Sequence, residues 1–89
     1  MVYFVSYDLS EGSPKDYSVV EVALESCGEA KRFQGSVWLL SSDLSAVAIR
    51  DTIKPYLDGT DTLFVGELGR GWAGWRTKLQ AWIGEHRGT

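Results

Sequence analysis

Two short runs in this chain, VYFVSY at residues 2–7 and SVWLLS at residues 36–41, are apolar at consecutive positions, broken in the first only by Ser6. Short runs rich in β-branched and aromatic residues read as strands buried on both faces. A sheet built around two such strands needs cover on both sides. That requirement limits the fold more than any other feature of the 89 residues. Asp8 follows the first run at once. A carboxylate at the point where a buried strand emerges is held firmly at the edge of the core, and Asp8 is the leading candidate for chemistry.

Between and after these runs the pattern changes period. Ser13-Pro14-Lys15-Asp16 reads as a helix start, with Ser13 the N-cap, Pro14 the first helical residue and Asp16 the acidic third position. Tyr17, Val20, Ala23, Leu24 and Cys27 form one helical stripe, opposite Ser18, Glu21 and Glu25. Gly28 is expected as a left-handed stop. Glu29 to Phe33 and Ser36 to Ser41 read as two strands joined around Gln34-Gly35, the first polar enough for a sheet edge. Ser42 to Ser45 supplies capping residues for a second helix that buries Ala46, Ile49, Ile53 and Leu57 and exposes Arg50, Asp51 and Lys54; Pro55 bends or ends it. Asp58 to Asp61 is a turn, and Thr62 to Leu68 is a fourth strand with a bulge expected at Gly66. Beyond Gly69 to Gly71, the spacing of Trp72, Trp75, Leu79, Trp82 and Ile83 predicts one continuous tryptophan-rich helix.

The order strand, helix, strand, strand, helix, strand is the split βαβ arrangement, an α+β, ferredoxin-like fold. The expected organisation is a βαββαβ core over residues 1–68 with a four-stranded antiparallel sheet. A glycine-rich loop and C-terminal helix at residues 69–89 pack on the same domain. In this topology the first and third strands are central, and these are the two continuous apolar runs. Helices cover one face only, so the other must be closed by the tryptophan helix or by a second copy of the chain.

Composition narrows the function classes. A net charge of −3 argues against a surface that tracks nucleic acid throughout, though not against a local basic patch. A single cysteine cannot form an internal disulfide, which fits a reducing compartment. Neither a signal core nor an apolar run near the ~20 residues of a membrane span is present, so the expectation is a soluble, cytoplasmic protein without membrane contact. Asp8 can ligate a hard divalent cation such as Mg²⁺ or Mn²⁺, or cap the turn that follows it. GRGWAG at residues 69–74 matches G-x-G-x-x-G, but the dinucleotide fingerprint opens a βαβ unit and wants an acid ~20 residues on, past the last residue here. The glycines instead allow close packing of the tryptophan segment, with phosphate contact by Arg70 and Arg76 a lesser alternative. Trp38, Trp72, Trp75 and Trp82 can stack bases, but the helical spacing of the last three favours a core or interface role. Cys27 reads as a buried small hydrophobe, and His86 is assigned no role.

Two stretches carry a family resemblance. VYFVSYDLS resembles the opening strand of the CRISPR-associated protein 2 family, which ends in a tyrosine-aspartate pair, and KRFQGSVWLL resembles that family's second hairpin. The shorter SinR-like relatives are also similar, through Tyr7-Asp8-Leu9, Ser36-Val37-Trp38-Leu39, Ile49-Arg50-Asp51 and Asp61-Thr62-Leu63-Phe64-Val65. The similarity spans about residues 1–68. It implies a ferredoxin-like homodimer and, as in some members, metal-dependent cleavage of RNA or DNA; the related virulence-associated protein D shares the fold and ribonuclease activity. By the same resemblance Asp8 is the catalytic and metal-binding residue, with Mg²⁺ or Mn²⁺ as cofactor. Lys31, Arg32 and Gln34 are the expected nucleic-acid contacts, and Trp38, Trp72, Trp75 and Trp82 the expected interface. The chain departs from the family in lacking an arginine-rich start to its first helix and in replacing the exchanged C-terminal strand by the tryptophan segment. Two functions follow: a weak metal-dependent endonuclease, or a catalytically silent module that holds a protein partner, such as a phage-encoded inhibitor of a nucleic-acid enzyme.

Overall fold

The computed structural model describes residues 1–9 and 17–86, with the backbone alone at residue 17. Four strands, β1 (Val2–Asp8), β2 (Glu29–Gln34), β3 (Val37–Ser41) and β4 (Thr62–Glu67), form one antiparallel sheet in the order β2-β3-β1-β4. The two apolar runs are therefore the two central strands. Helices α1 (Tyr17–Glu25) and α2 (Ala46–Ile53) lie on one face, and α3 (Leu79–His86) follows β4. This is the α+β, ferredoxin-like arrangement that the element order predicts. The helix start expected at Ser13, Pro14 and Asp16 lies outside the described residues.

Alternation along β1 divides its side chains between two cores. Tyr3, Val5 and Tyr7 face the helices and pack with Trp38 and Leu40 of β3, Val20, Ala23 and Leu24 of α1, Cys27 in the turn after it, and Ile49 and Ile53 of α2. Phe4 points the other way. It joins its β3 partner Leu39, together with Phe33, Leu68, Trp72 and Trp82, in a second cluster closed by Leu79 and Ile83 of α3. The cover that the outer face requires is thus supplied in part by the chain's own last helix. This second core is loosely filled: a cavity of about 170 Å³ remains against Phe4, Leu39, Trp72 and Ile83. None of the described helices is long and apolar enough to cross a membrane.

Local chemistry explains most boundaries. The Ser45 hydroxyl accepts from the Ala48 N–H and caps α2. Pro55 ends that helix in a single 3₁₀ turn, Lys54–Tyr56. β2 and β3 are joined by a tight turn with Gly35 at φ 41°.

Three expectations change. Gly28 is not a left-handed stop: its φ is 159°, and it is required by proximity, since a Cβ there would lie 2.0 Å from the Ser41 carbonyl oxygen. Gly66 is not a bulge but sits in regular register opposite Phe4, under the ring of Phe64. The sheet's irregularity falls instead between Arg32 and Gln34. Finally, Trp72 and Trp75 are not helical. Residues 69–78 form an irregular strap, and α3 begins only at Leu79, whose N–H donates to the Thr77 hydroxyl at 3.3 Å. Gly69, Gly71 and Gly74 each disfavour a helix by about 1 kcal/mol relative to alanine, enough to override the aromatic spacing.

Candidate functional site

Asp8 closes β1, paired with Thr62 of β4. By alternation it shares the outer face with Phe4 and Ser6. The α3 cluster covers that face only at the Phe4–Leu39 level. Beyond it, Ser6 lies between Val37 and Phe64, and Asp8 is the last residue of the row. Asp8 is exposed, and Phe64 is 65% exposed. This end of the outer face is an open patch with a carboxylate at its edge. No described residue hydrogen-bonds the Asp8 side chain, so the turn-capping role has no partner among the described residues.

The hairpin joining β2 and β3 reaches the same end of the sheet, where the Tyr7 N–H donates to the Ser36 carbonyl at 3.2 Å. The residues expected to grip nucleic acid are nevertheless dispersed. Lys31 and Arg32 are neighbours on a strand and project to opposite faces. Arg32 is engaged: its guanidinium lies 4.9 Å from the centre of the Trp38 ring and pairs with Glu21 of α1. Lys31 and Gln34 are exposed.

Among the described residues, no group of three or more Asp, Glu, His or Cys side chains is placed to hold an ion. Asp8 belongs to no such group among the described residues, and a single carboxylate does not make a metal site. A fit requires further ligands, of which a second copy's Asp8 is the one the resemblance implies.

The four tryptophans occupy distinct environments. Trp38 is buried in the helix-side core, where its Nε1–H donates to the Tyr7 hydroxyl at 3.1 Å. Trp72 and Trp82 are half-buried in the outer cluster. Trp75 alone presents its ring, 77% exposed, with the Arg76 guanidinium 5.3 Å from its centre.

His86, assigned no role from sequence, ties α3 to the sheet. It stacks on Trp82 with ring centres 4.0 Å apart. Its Nδ1 lies 2.7 Å from the Trp82 carbonyl oxygen, and its Nε2 meets the Glu29 carboxylate at the start of β2. The carbonyl and then the carboxylate raise its pKa above the ordinary 6.5. The i, i+4 spacing from Trp82 was the available signal, but the partner on β2 is distant in sequence.

No protein-family model matches the chain, and neither does any curated sequence. Among solved structures, the crystal structure of Streptococcus pyogenes Cas2 at pH 6.5 is similar, with a TM-score of 0.57 and 25% identity over 81% of this chain and 90% of that one. The chain is therefore Cas2-like in fold, in agreement with the family that its opening strand and second hairpin resemble.

Proposed function

We propose that the chain acts as a Cas2-like homodimer that cleaves RNA or DNA with a divalent metal, with Asp8 from each of two copies as the metal-binding and catalytic residue. The observation that carries this reading is the position of Asp8: exposed, at the end of a central strand, on the part of the outer face that α3 leaves open. A second copy against this patch would cover Phe64 and bring two carboxylates together. A bound Mg²⁺ or Mn²⁺ would lower the pKa of a water molecule and offset charge on the scissile phosphate. The chain's own contribution is the carboxylate and the rigid strand that holds it.

The engaged state of Arg32 and the net charge of −3 favour a second reading, a catalytically silent module that holds a protein partner. Asp8→Asn separates the two. It keeps the shape of the side chain and removes the charge that binds the ion, so the melting temperature should hardly move while Mg²⁺- or Mn²⁺-dependent cleavage disappears. Cleavage that survives in highly purified Asp8→Asn protein would refute the Asp8 metal site. No cleavage by the wild type with either ion would leave the binding module. Light scattering tests the dimer: a monomer mass near the chain's 9.9 kDa at micromolar concentration would exclude a shared site.

A further inference from the structure

We propose that the strap between β4 and α3 is a stacking site for single-stranded nucleic acid, with the Trp75 ring as platform for a base and Arg70, Arg76 and Lys78 as phosphate contacts. The proposal deepens the nuclease reading, because it adds a substrate grip to the dispersed polar residues of the β2–β3 hairpin, and it rests on that reading for its ligand class.

Three observations converge. The first is the ring itself: one exposed aromatic residue is ordinary on a protein surface. Here, however, the other three tryptophans are buried or half-buried, and Trp75 is 77% exposed beside a cation. The second is charge segregation. From Leu68 to Trp82 the chain carries Arg70, Arg76 and Lys78 and no acid, in a protein whose net charge is −3. Elsewhere Arg32 pairs with Glu21, and Arg50 with Asp51. None of the three strap cations has an acidic partner among the described residues, and all three are exposed. The third is backbone shape. Arg76 and Lys78 both adopt φ 58°, uncommon for residues other than glycine, so Trp75 sits on a shaped turn and not on a helix face.

An aromatic ring beside a cation without an acidic partner, on a segment that carries two more such cations, is the chemistry used to hold single strands without sequence preference. A base in a duplex is already stacked on its neighbours and cannot lie on the ring, which commits the site to single strands. An anionic protein would satisfy the cations but has no base for the indole.

The test uses the full chain and a fluorescein-labelled oligothymidylate or oligouridylate of about ten nucleotides, within the usual span of such sites. Anisotropy in EDTA reads binding without cleavage. Trp75→Ala should weaken binding roughly 5- to 150-fold, the range for loss of one base stack, and Trp75→Phe should recover part of it. Three phosphate contacts predict a slope of about −2 in log affinity against log salt, falling towards zero when Arg70, Arg76 and Lys78 are all changed to Ala. Because Trp75 is exposed, the melting temperature should not change. No binding by the wild type, equal binding by Trp75→Ala, or equal competition by polyglutamate would each overturn the stacking site. The two proposals fail separately. Binding that needs Trp75 without any metal-dependent cleavage refutes only the Asp8 reading, whereas Asp8-dependent cleavage with unaltered binding in Trp75→Ala refutes only the strap.

Discussion

Ile83 is where the contribution of α3 can be measured most directly. It is 3% exposed and closes the outer cluster over Leu39 and Phe4. Truncation to Ala removes three buried carbons at about 0.8 kcal/mol each, or roughly 2.4 kcal/mol, before any cost for the space left behind. Buried Ile→Ala changes generally cost about 2–5 kcal/mol, the larger values arising where the site cannot collapse. Here the new space merges with a pocket of about 170 Å³ that already lies against Ile83 and is partly open to solvent, so little enclosed void is added. That places the loss at about 2–3 kcal/mol, a large fraction of the roughly 5–15 kcal/mol that holds a domain together. With a urea m-value of about 1 kcal/mol/M, as expected for a small domain, the midpoint should fall by about 2–3 M. Val22→Ala, at a position 70% exposed, is the control and should barely move it. A midpoint for Ile83→Ala as close to wild type as that of Val22→Ala would show that α3 does not cover the sheet.

Other perturbations address single features. Gly28→Ala should destabilise by about 3 kcal/mol or more in the same titration, because its Cβ would meet the backbone oxygen of Ser41 at 2.0 Å and the main chain must move. Gly66→Ala should cost less than about 1.5 kcal/mol, since the closest atom, 2.9 Å away, belongs to the exposed Phe64 ring, which can swing aside. The His86 contact predicts a pH dependence. A neutral imidazole can donate to only one of its two acceptors, the Trp82 carbonyl and the Glu29 carboxylate, so the charged ring fits best. Its folded pKa is raised above 6.5, so its contribution is complete below the unfolded value and is lost as pH rises through the folded one. Hydrogen-exchange protection of α3 relative to β1 should therefore fall as pH is raised from below 6.5 through the folded pKa. In Glu29→Gln the amide can turn to donate to the neutral ring, and the pH dependence should shrink while the part due to the Trp82 carbonyl persists. Identical protection factors at both ends of that range in wild type would contradict the coupling.

The central strands were legible because both of their faces are apolar, and no other placement in a four-stranded sheet buries both. The edge position of β2 was legible from its charges, and the start of α2 from Ser45. What misled was spacing. Trp72 and Trp75 stand three apart, as helix neighbours do, yet one packs inward from an irregular strap and the other faces water. Periodicity reports which residues are apolar and not whether glycines between them let a helix form. Gly28 illustrates a different gap: its requirement comes from a carbonyl thirteen residues away in sequence, so nothing local announces it. At the candidate site, Asp8 emerged where the strand pattern put it. The opposed directions of Lys31 and Arg32 follow from strand alternation, but the pairing of Arg32 with Glu21 depends on how α1 crosses the sheet. His86 and Glu29 join the last helix to the second strand, a contact that only the tertiary fold creates.

Cys27 gives the helix-side core a built-in clock. It is the chain's one cysteine, 7% exposed, and its thiol lies 3.6 Å from the Ala23 carbonyl oxygen beneath the end of α1. A bulky disulfide reagent cannot reach it while α1 rests on the sheet, so the colour released over time counts the occasions on which that helix lifts. No label need be introduced and no second thiol confuses the signal. Metal, oligonucleotide or a second copy of the chain can each be added in turn, and whichever of them tightens the native packing will slow the clock.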